Sequence, residues 1–237
     1  MTTIEQQQGT DQLAAAQYAL RNTPVNNWPF VHTLVRPILP ADYYQQMIDA
    51  FPEDEKFIPL SEYHPDRGAL FLTHRDAGDD DLDRLSADQQ LFWKDFVQTI
   101  GSEQFRKALL ETMGGPELVD SHLARTRSLI HLSLDRFGYQ IRPHTDIAQK
   151  IVTALFYLPD PNDHSLTNFG TSVLVEKEGM DETDPHDWNK YECAFTAPFL
   201  ANSLFTFKVG DSSWHGVKPI AEPIHRRSVQ YFVILDE

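Results

Sequence analysis

Three places in this chain put a carboxylate two residues after a histidine: His64-Pro65-Asp66, His74-Arg75-Asp76 and His144-Thr145-Asp146. Two imidazoles and one carboxylate on one face of a metal leave the opposite positions open, which is how non-haem iron sites admit a co-substrate and dioxygen. A His-x-Asp from one strand end and a lone histidine from a distant strand satisfy that geometry. With 10 histidines and 35 acidic residues in the chain, such triplets arise cheaply, so the flanking sequence has to choose among them.

The first triplet sits in a Pro-containing polar stretch, and the second runs straight into an acidic, Gly-containing one, so both read as surface loops. The third lies between the apolar runs Ile130 to Leu134 and Ile151 to Leu158, where a turn can aim His144 and Asp146 into a barrel mouth. The distal ligand is then His215, 69 positions beyond Asp146 and followed by Gly216-Val217. His164 and His186 fall in Asp/Pro/Asn-rich loops, and His225 stands beside two arginines that repel a cation. Eleven positions after His215, Arg226-Arg227-Ser228 opens the run Val229 to Ile234. Strand alternation puts Arg226 and Ser228 on one face and Arg227 on the other. A guanidinium there can clamp the far carboxylate of a dicarboxylic acid through two parallel hydrogen bonds. Tyr139 and Arg142, just upstream of the triplet, either line the same pocket, with Arg142 meeting a substrate carboxylate, or cover a strand edge and pair with a surface acid. Trp214 reads as packing and Asn202 as a turn residue.

The elements that must position these groups change in texture along the chain. Thr10 or Asp11 caps an Ala-rich helix reaching Leu20, a β-like run covers Trp28 to Val35, and Pro40 opens a helix that stops before Pro52. From Pro52 to Asp83 the Pro, Asp and Gly content reads mostly as loop, broken by Ala69-Leu70-Phe71-Leu72, and Asp79-Asp80-Asp81 reads as solvated. Leu91, Phe92, Phe96 and Ile100 have helical spacing after Ser86, and Ser102 caps a further helix ending at Gly114-Gly115. From Leu129 onward come short β-rich runs: Leu129 to Leu134, Ile151 to Leu158, Ser172 to Val175, Tyr191 to Phe199, Ser203 to Val209 and Ser228 to Leu235. This texture predicts an α+β, mainly β protein, a sandwich or barrel rather than a parallel sheet with crossover helices. The expected organisation is one domain over 1–237, with a largely helical part at 1–125 and the barrel at 126–237.

Composition narrows the partners. A net charge of −15 over 237 residues repels phosphate backbones and anionic membrane surfaces, so neither nucleic acid nor membrane is expected. Hydrophobic content of 41% fills a substantial core. The single Cys193 forms no internal disulfide and begins no cysteine-based metal site, and no apolar run approaches membrane-spanning length. A polar, Gln-rich start without an export signal fits a cytoplasmic protein. Oligomeric state is open.

His144-Thr145-Asp146, His215 and Arg226-Arg227-Ser228 together resemble the iron(II)/2-oxoglutarate-dependent dioxygenase superfamily. The closer similarity is to its prolyl-4-hydroxylase-like branch. Phe156-Tyr157-Leu158-Pro159 matches a strand end of that branch except for Pro159 in place of Asn, and Gly170 to Val175 matches the Gly-containing strand that follows it. The resemblance covers roughly Leu129 to Leu235. It implies a double-stranded β-helix (jelly-roll, cupin-like) core against N-terminal packing helices. It implies Fe(II) on His144, Asp146 and His215, and 2-oxoglutarate on Arg226 with Tyr157 and Ser228, with dioxygen as the oxidant. The implied reaction hydroxylates an unactivated C–H bond with release of succinate and carbon dioxide. Halogenating relatives replace the carboxylate ligand with a small residue, so Asp146 favours hydroxylation. Gln230 departs from the branch, standing where a hydroxyl is expected.

The compact size and acidic surface favour an amino acid or related small metabolite as substrate, with a peptide side chain as the alternative. Two readings from other classes stay open: a cupin-like metal-binding barrel without 2-oxoglutarate, and a non-catalytic recognition module. Arg226 with Ser228 separates the first from an oxygenase, because a metal-only site has no use for a buried guanidinium.

Overall fold

A computed structural model describes residues 3–61, 64–74, 80–159, 164–179, 184–221 and 225–236. Its centre is β11 (Arg226–Leu235), which pairs antiparallel with β4 (Thr126–Asp135) on one side and with β6 (Lys150–Tyr157) on the other. Beyond β6 lie β9 (Ser203–Lys208) and then β1 (His32–Val35); beyond β4 lie β3 (His64–Phe71) and β2 (Ile58–Ser61). These make a seven-stranded sheet in the order β1-β9-β6-β11-β4-β3-β2. A second, four-stranded sheet faces it, in the order β5 (Ile141–His144), β10 (His215–Val217), β7 (Ser172–Glu176) and β8 (Tyr191–Thr196). All pairings are antiparallel, and the two sheets form the expected double-stranded β-helix.

The larger sheet is buried on both faces, so its central strands read as near-continuous apolar runs, yet their alternation still sorts the side chains. Val229, Tyr231 and Val233 of β11, Val152, Ala154 and Phe156 of β6, and Ile130, Leu132 and Leu134 of β4 face the helices. The intervening residues of the same strands, Arg226, Gln230 and Phe232 with Thr153 and Leu155, face the barrel interior. The helical layer consists of α1 (Thr3–Asn22), α2 (Ala41–Asp49), α3 (Ala87–Thr99) and α4 (Glu103–His122). It docks through edge-on aromatic contacts, Phe96 on Phe156 and Phe105 on Tyr231, each buried ring contributing about 1.5–3 kcal/mol from area alone. Ser86 and Gln89 form a reciprocal capping box at the start of α3, a device worth about 1 kcal/mol. Trp93 ties α3 to the end of α2 by donating its indole N–H to the Ala50 carbonyl at 2.9 Å.

In its first half the structure departs from the sequence expectations, and the run from Trp28 is strand only over His32–Val35. The first helix begins at Thr3 rather than at Thr10 or Asp11, which lie inside it. Gly115, with φ 67° and ψ −168°, breaks α4 at the expected end, but helix resumes at Pro116 and reaches His122, because proline suits a first turn. The segment from Pro52 to Asp83 is not mostly loop: it supplies β2 and β3, and Ala69 and Leu70 are both fully buried in the sheet. Asp81 is not merely solvated, since its carboxylate accepts the Phe71 N–H at 2.8 Å. The first 125 residues therefore add three strands to the larger sheet beside their helices. No described helix is long and apolar enough to cross a membrane.

Gly170 leads into β7 where the backbone of Ala197 passes so close that an added Cβ would collide with its carbonyl oxygen. Gly170→Ala is expected to lower unfolding free energy by about 1–3 kcal/mol, read as a fall in the urea midpoint.

Candidate metal centre and the cavity behind it

β5 and β10 lie side by side in the smaller sheet, with His144 directly opposite His215 in register. A register shift between His215 and Val217 re-aims the strand at that point. The two imidazole centroids are 4.2 Å apart, and Asp146 follows two residues after β5. One ligand atom from each of His144, Asp146 and His215 can be chosen so that all lie within 4.8 Å of one another. Among the described residues, this is the histidine and carboxylate cluster the sequence pointed to. His64 and Asp66 instead sit in β3, and Arg75 and Asp76 of the remaining triplet lie outside the described residues.

Backbone contacts orient both rings alike. His144 Nδ1 bonds the Arg142 carbonyl at 2.9 Å, and His215 Nδ1 bonds the Ser213 carbonyl at 2.8 Å. A ring nitrogen facing a carbonyl must carry the proton, so Nε2 of each ring keeps its lone pair for a metal. Burial holds both imidazoles neutral, pushing His144 down to about 3 with help from the neighbouring His215, and lowering His215 despite the opposing pull of Asp146. Burial pushes Asp146 the other way, but Lys150 and His215 outweigh it, and the carboxyl stays well below the usual range. Asp146 Oδ1 accepts from Lys150 Nζ, and Oδ2 from the Thr153 hydroxyl, each at 2.6 Å. The ammonium in turn lies 3.8 Å over the Phe232 ring. Two neutral imidazoles and one ionised carboxylate suit a divalent transition ion such as ferrous iron.

A cavity runs inward from this cluster, between walls that include Ile141, Leu155 and Val217, to Arg226. Arg226 is 1% exposed. It donates Nε to the Phe169 carbonyl at 2.7 Å and Nη1 to Asp135 Oδ2 at 2.6 Å. Two of its five N–H donors are thus committed, the Tyr157 hydroxyl is a further side-chain partner, and donor capacity is left over among the described residues. Its guanidinium lies 5.0 Å from the Phe199 ring centre and 5.5 Å from that of Tyr157.

The other sequence candidates fall in different places. Tyr139 is on the cavity wall, 1% exposed, with a buried hydroxyl that has no hydrogen-bond partner among the described residues. Arg142 is not on that wall; it is half exposed and pairs with Asp184 at 2.5 Å while donating to the His186 carbonyl at 3.1 Å. Ser228 shares the inward face with Arg226, but its hydroxyl accepts from Gln230 Nε2 at 2.9 Å, and Gln230 is the residue that reaches the cavity. Tyr157 spends its hydroxyl on Thr171, donating to Oγ1 at 3.1 Å and accepting the N–H at 3.2 Å, so Thr171 presents that pair to the cavity. Trp214 packs on Tyr191 at 5.0 Å, and Asn202 holds a turn at φ 55°. Sequence reading overlooked Arg67, Lys150, Thr153 and Thr171, all on the cavity wall. For Arg67 a signal existed: Ala69 to Leu72 is the short continuous apolar run of a strand buried on both faces.

No protein-family profile matches the sequence, and neither does any curated protein. Solved structures do match. A prolyl-4-hydroxylase from Pseudomonas putida superposes with a TM-score of 0.52 at 16% identity, covering 95% of this chain and 100% of its own. A prolyl hydroxylase from Trichoplax adhaerens, in complex with a peptide fragment of hypoxia inducible factor, gives 0.51 at 13%, covering 99% and 94%. The dioxygenase for auxin oxidation of Arabidopsis thaliana, a 2-oxoglutarate complex, gives 0.50 at 19%, covering 83% and 78%.

Two measurements test the centre. Thr153→Val removes one hydrogen bond to Asp146 at nearly constant volume and should weaken divalent-ion binding roughly tenfold, read by calorimetry. His144 binds no proton in the folded state until about pH 3, whereas the unfolded chain takes one up near 6.5. The unfolded state therefore binds more protons in that window, and metal-free protein should lose stability as pH falls from about 6.5 toward 3. His144→Gln should flatten this slope in thermal melts, and an unchanged slope would contradict the neutral ring. The chain thus carries the fold of the iron- and 2-oxoglutarate-dependent oxygenases, prolyl 4-hydroxylases among them.

Proposed function

We propose that this protein is an iron(II)- and 2-oxoglutarate-dependent oxygenase, one catalytic domain over 1–237, that hydroxylates an unactivated C–H bond. One observation carries the reading: a single cavity joins two neutral imidazoles and an ionised carboxylate at one end to a buried guanidinium at the other. A barrel that only stored a metal would gain nothing from burying Arg226 there. The fold shared with known oxygenases supports the same conclusion.

His144 Nε2, His215 Nε2 and one oxygen of Asp146 would hold the metal, and Lys150 and Thr153 keep that carboxylate ionised and oriented. When bound, ferrous iron with 2-oxoglutarate and dioxygen supplies oxidative decarboxylation to succinate and carbon dioxide and the insertion of oxygen into the substrate. The rest is positioning and exclusion of water. Arg226 meets the distal carboxylate of 2-oxoglutarate with its remaining donors, and Thr171, which stands in front of its partner Tyr157, offers the adjacent hydroxyl. Ile141, Leu155 and Val217 cover the chain between the two ends. Tyr139, whose hydroxyl has no partner among the described residues, donates to a bound ligand. Retention of Asp146 as a ligand favours hydroxylation over halogenation.

An amino acid or related small metabolite is the proposed substrate. The net charge of −15 disfavours nucleic acids and other anionic polymers and leaves a small molecule as the simpler substrate class. The peptide complex of the Trichoplax adhaerens structure favours a second reading, hydroxylation of a peptide side chain by the same chemistry.

Purified protein supplied with ferrous iron and 2-oxoglutarate should form succinate in a substrate-coupled manner from some member of a panel of amino acids, short peptides and small metabolites. Asp146→Ala should lower that rate by at least ~100-fold and abolish tight metal binding. Succinate formation that survives this change would exclude the assigned centre, and turnover confined to intact protein partners would exclude the small-molecule substrate.

A further inference from the structure

Asp135 is completely buried and is gripped from both sides. Arg67 donates Nε to Oδ1 at 2.5 Å and Nη2 to Oδ2 at 2.9 Å, the two-pronged arrangement, while Arg226 donates only Nη1, to Oδ2, at 2.6 Å. The three residues lie directly opposite one another on neighbouring strands, Arg67 of β3 against Asp135 of β4 against Arg226 of β11. Pairs in that position on one face of a sheet are in direct contact.

The charges decide what this row can do. Asp135 alone beside Arg226 would form a neutral pair, and an incoming carboxylate would meet no net attraction and a fixed anion nearby. Adding Arg67 leaves the row with one net positive charge, in an interior where such a charge acts strongly. Arg67 also takes the larger share of Asp135: burial raises the carboxyl's pKa, and Arg67 first and Arg226 second bring it below its usual value. Unspent donors gather here as well. Arg226 keeps donor capacity, and the ring of Tyr139 lies 4.3 Å from the Arg67 guanidinium with its buried hydroxyl, on the same cavity wall, unpartnered among the described residues.

We propose that Arg67 is a positioning residue for the co-substrate: by taking up the charge of Asp135, it leaves Arg226 net cationic toward the distal carboxylate of a 2-oxo dicarboxylic acid. The proposal rests on the oxygenase reading above. A merely structural Arg67, tying β3 to β4, predicts something different, since the backbone pairing of Gly68 with Leu134 and Leu70 with Leu132 holds those strands in any case. Its loss would then lower stability without altering which ligand is preferred.

The test is calorimetric titration of manganese(II)-loaded protein, so that no turnover intervenes, with 2-oxoglutarate and with 2-oxobutyrate, which lacks the distal carboxylate. Wild type is expected to prefer the dicarboxylate. Arg67→Met should weaken 2-oxoglutarate roughly tenfold and leave 2-oxobutyrate nearly unchanged. Arg67→Met combined with Asp135→Asn, which restores the lone positive charge of Arg226, should recover most of the lost affinity although it removes more native contacts. Equal weakening of both ligands, an unchanged Arg67→Met, or a double variant no better than the single overturns the proposal. If Arg67→Met does not fold, Asp135→Asn decides alone: it leaves both guanidiniums unneutralised, so 2-oxoglutarate should bind at least as tightly, and a roughly tenfold loss overturns the role of Arg67. A wild type indifferent between the two acids overturns the oxygenase reading and this proposal together, whereas selectivity in wild type with failure of the variants overturns only the latter.

Discussion

A guanidinium that is 1% exposed has to be answered by an anion, and Asp135 is the answer on which this interior depends. Deleting one partner of a buried ion pair typically costs about 3–5 kcal/mol, because the remaining charge is stranded away from water. Here the anion is shared, which fixes Arg226 in place without neutralising the row as a whole. The second cation arrives from β3, a strand contributed by the first half of the chain, so that half sets the charge beside Arg226.

The other end of the cavity solves the reverse problem. Imidazoles must be neutral to bind a metal, and here burial together with Nδ1 contacts to main-chain carbonyls keeps them so. Asp146 must be ionised, and Lys150 with Thr153 ensures it. The cavity therefore joins two electrostatic environments, a histidine and carboxylate cluster at one end and a net cationic row at the other, with apolar wall between them. Strand alternation makes this possible, since each central strand of the larger sheet sends one set of residues to the helical layer and the other into the barrel.

Much of this was legible beforehand. Strong periodicity marked α3 and the long strands β4, β6, β9 and β11 to within a few residues, because each buries an apolar face that the chain must encode locally. β5 and β10, of four and three residues, were not recognised as strands; they are too short to display a period and exist because neighbouring strands supply their partners. β3 was hidden differently, its Pro65 and Gly68 masking a strand buried on both faces. The destination of a polar side chain was least legible of all: Arg142 turned outward to Asp184, while Tyr139, three residues earlier, turned in.

By itself the sequence determined the candidate donor types, their spacing and the strand that carries Arg226, because donor chemistry and period-two alternation are properties of residue identity and order. Only the tertiary structure decided that residues 144, 146 and 215 meet, that Thr171 stands in front of Tyr157, and that Arg67 joins Asp135 and Arg226. Those outcomes depend on strand register between segments far apart in the chain, and register is set by packing two sheets and a helical layer together rather than by any local pattern.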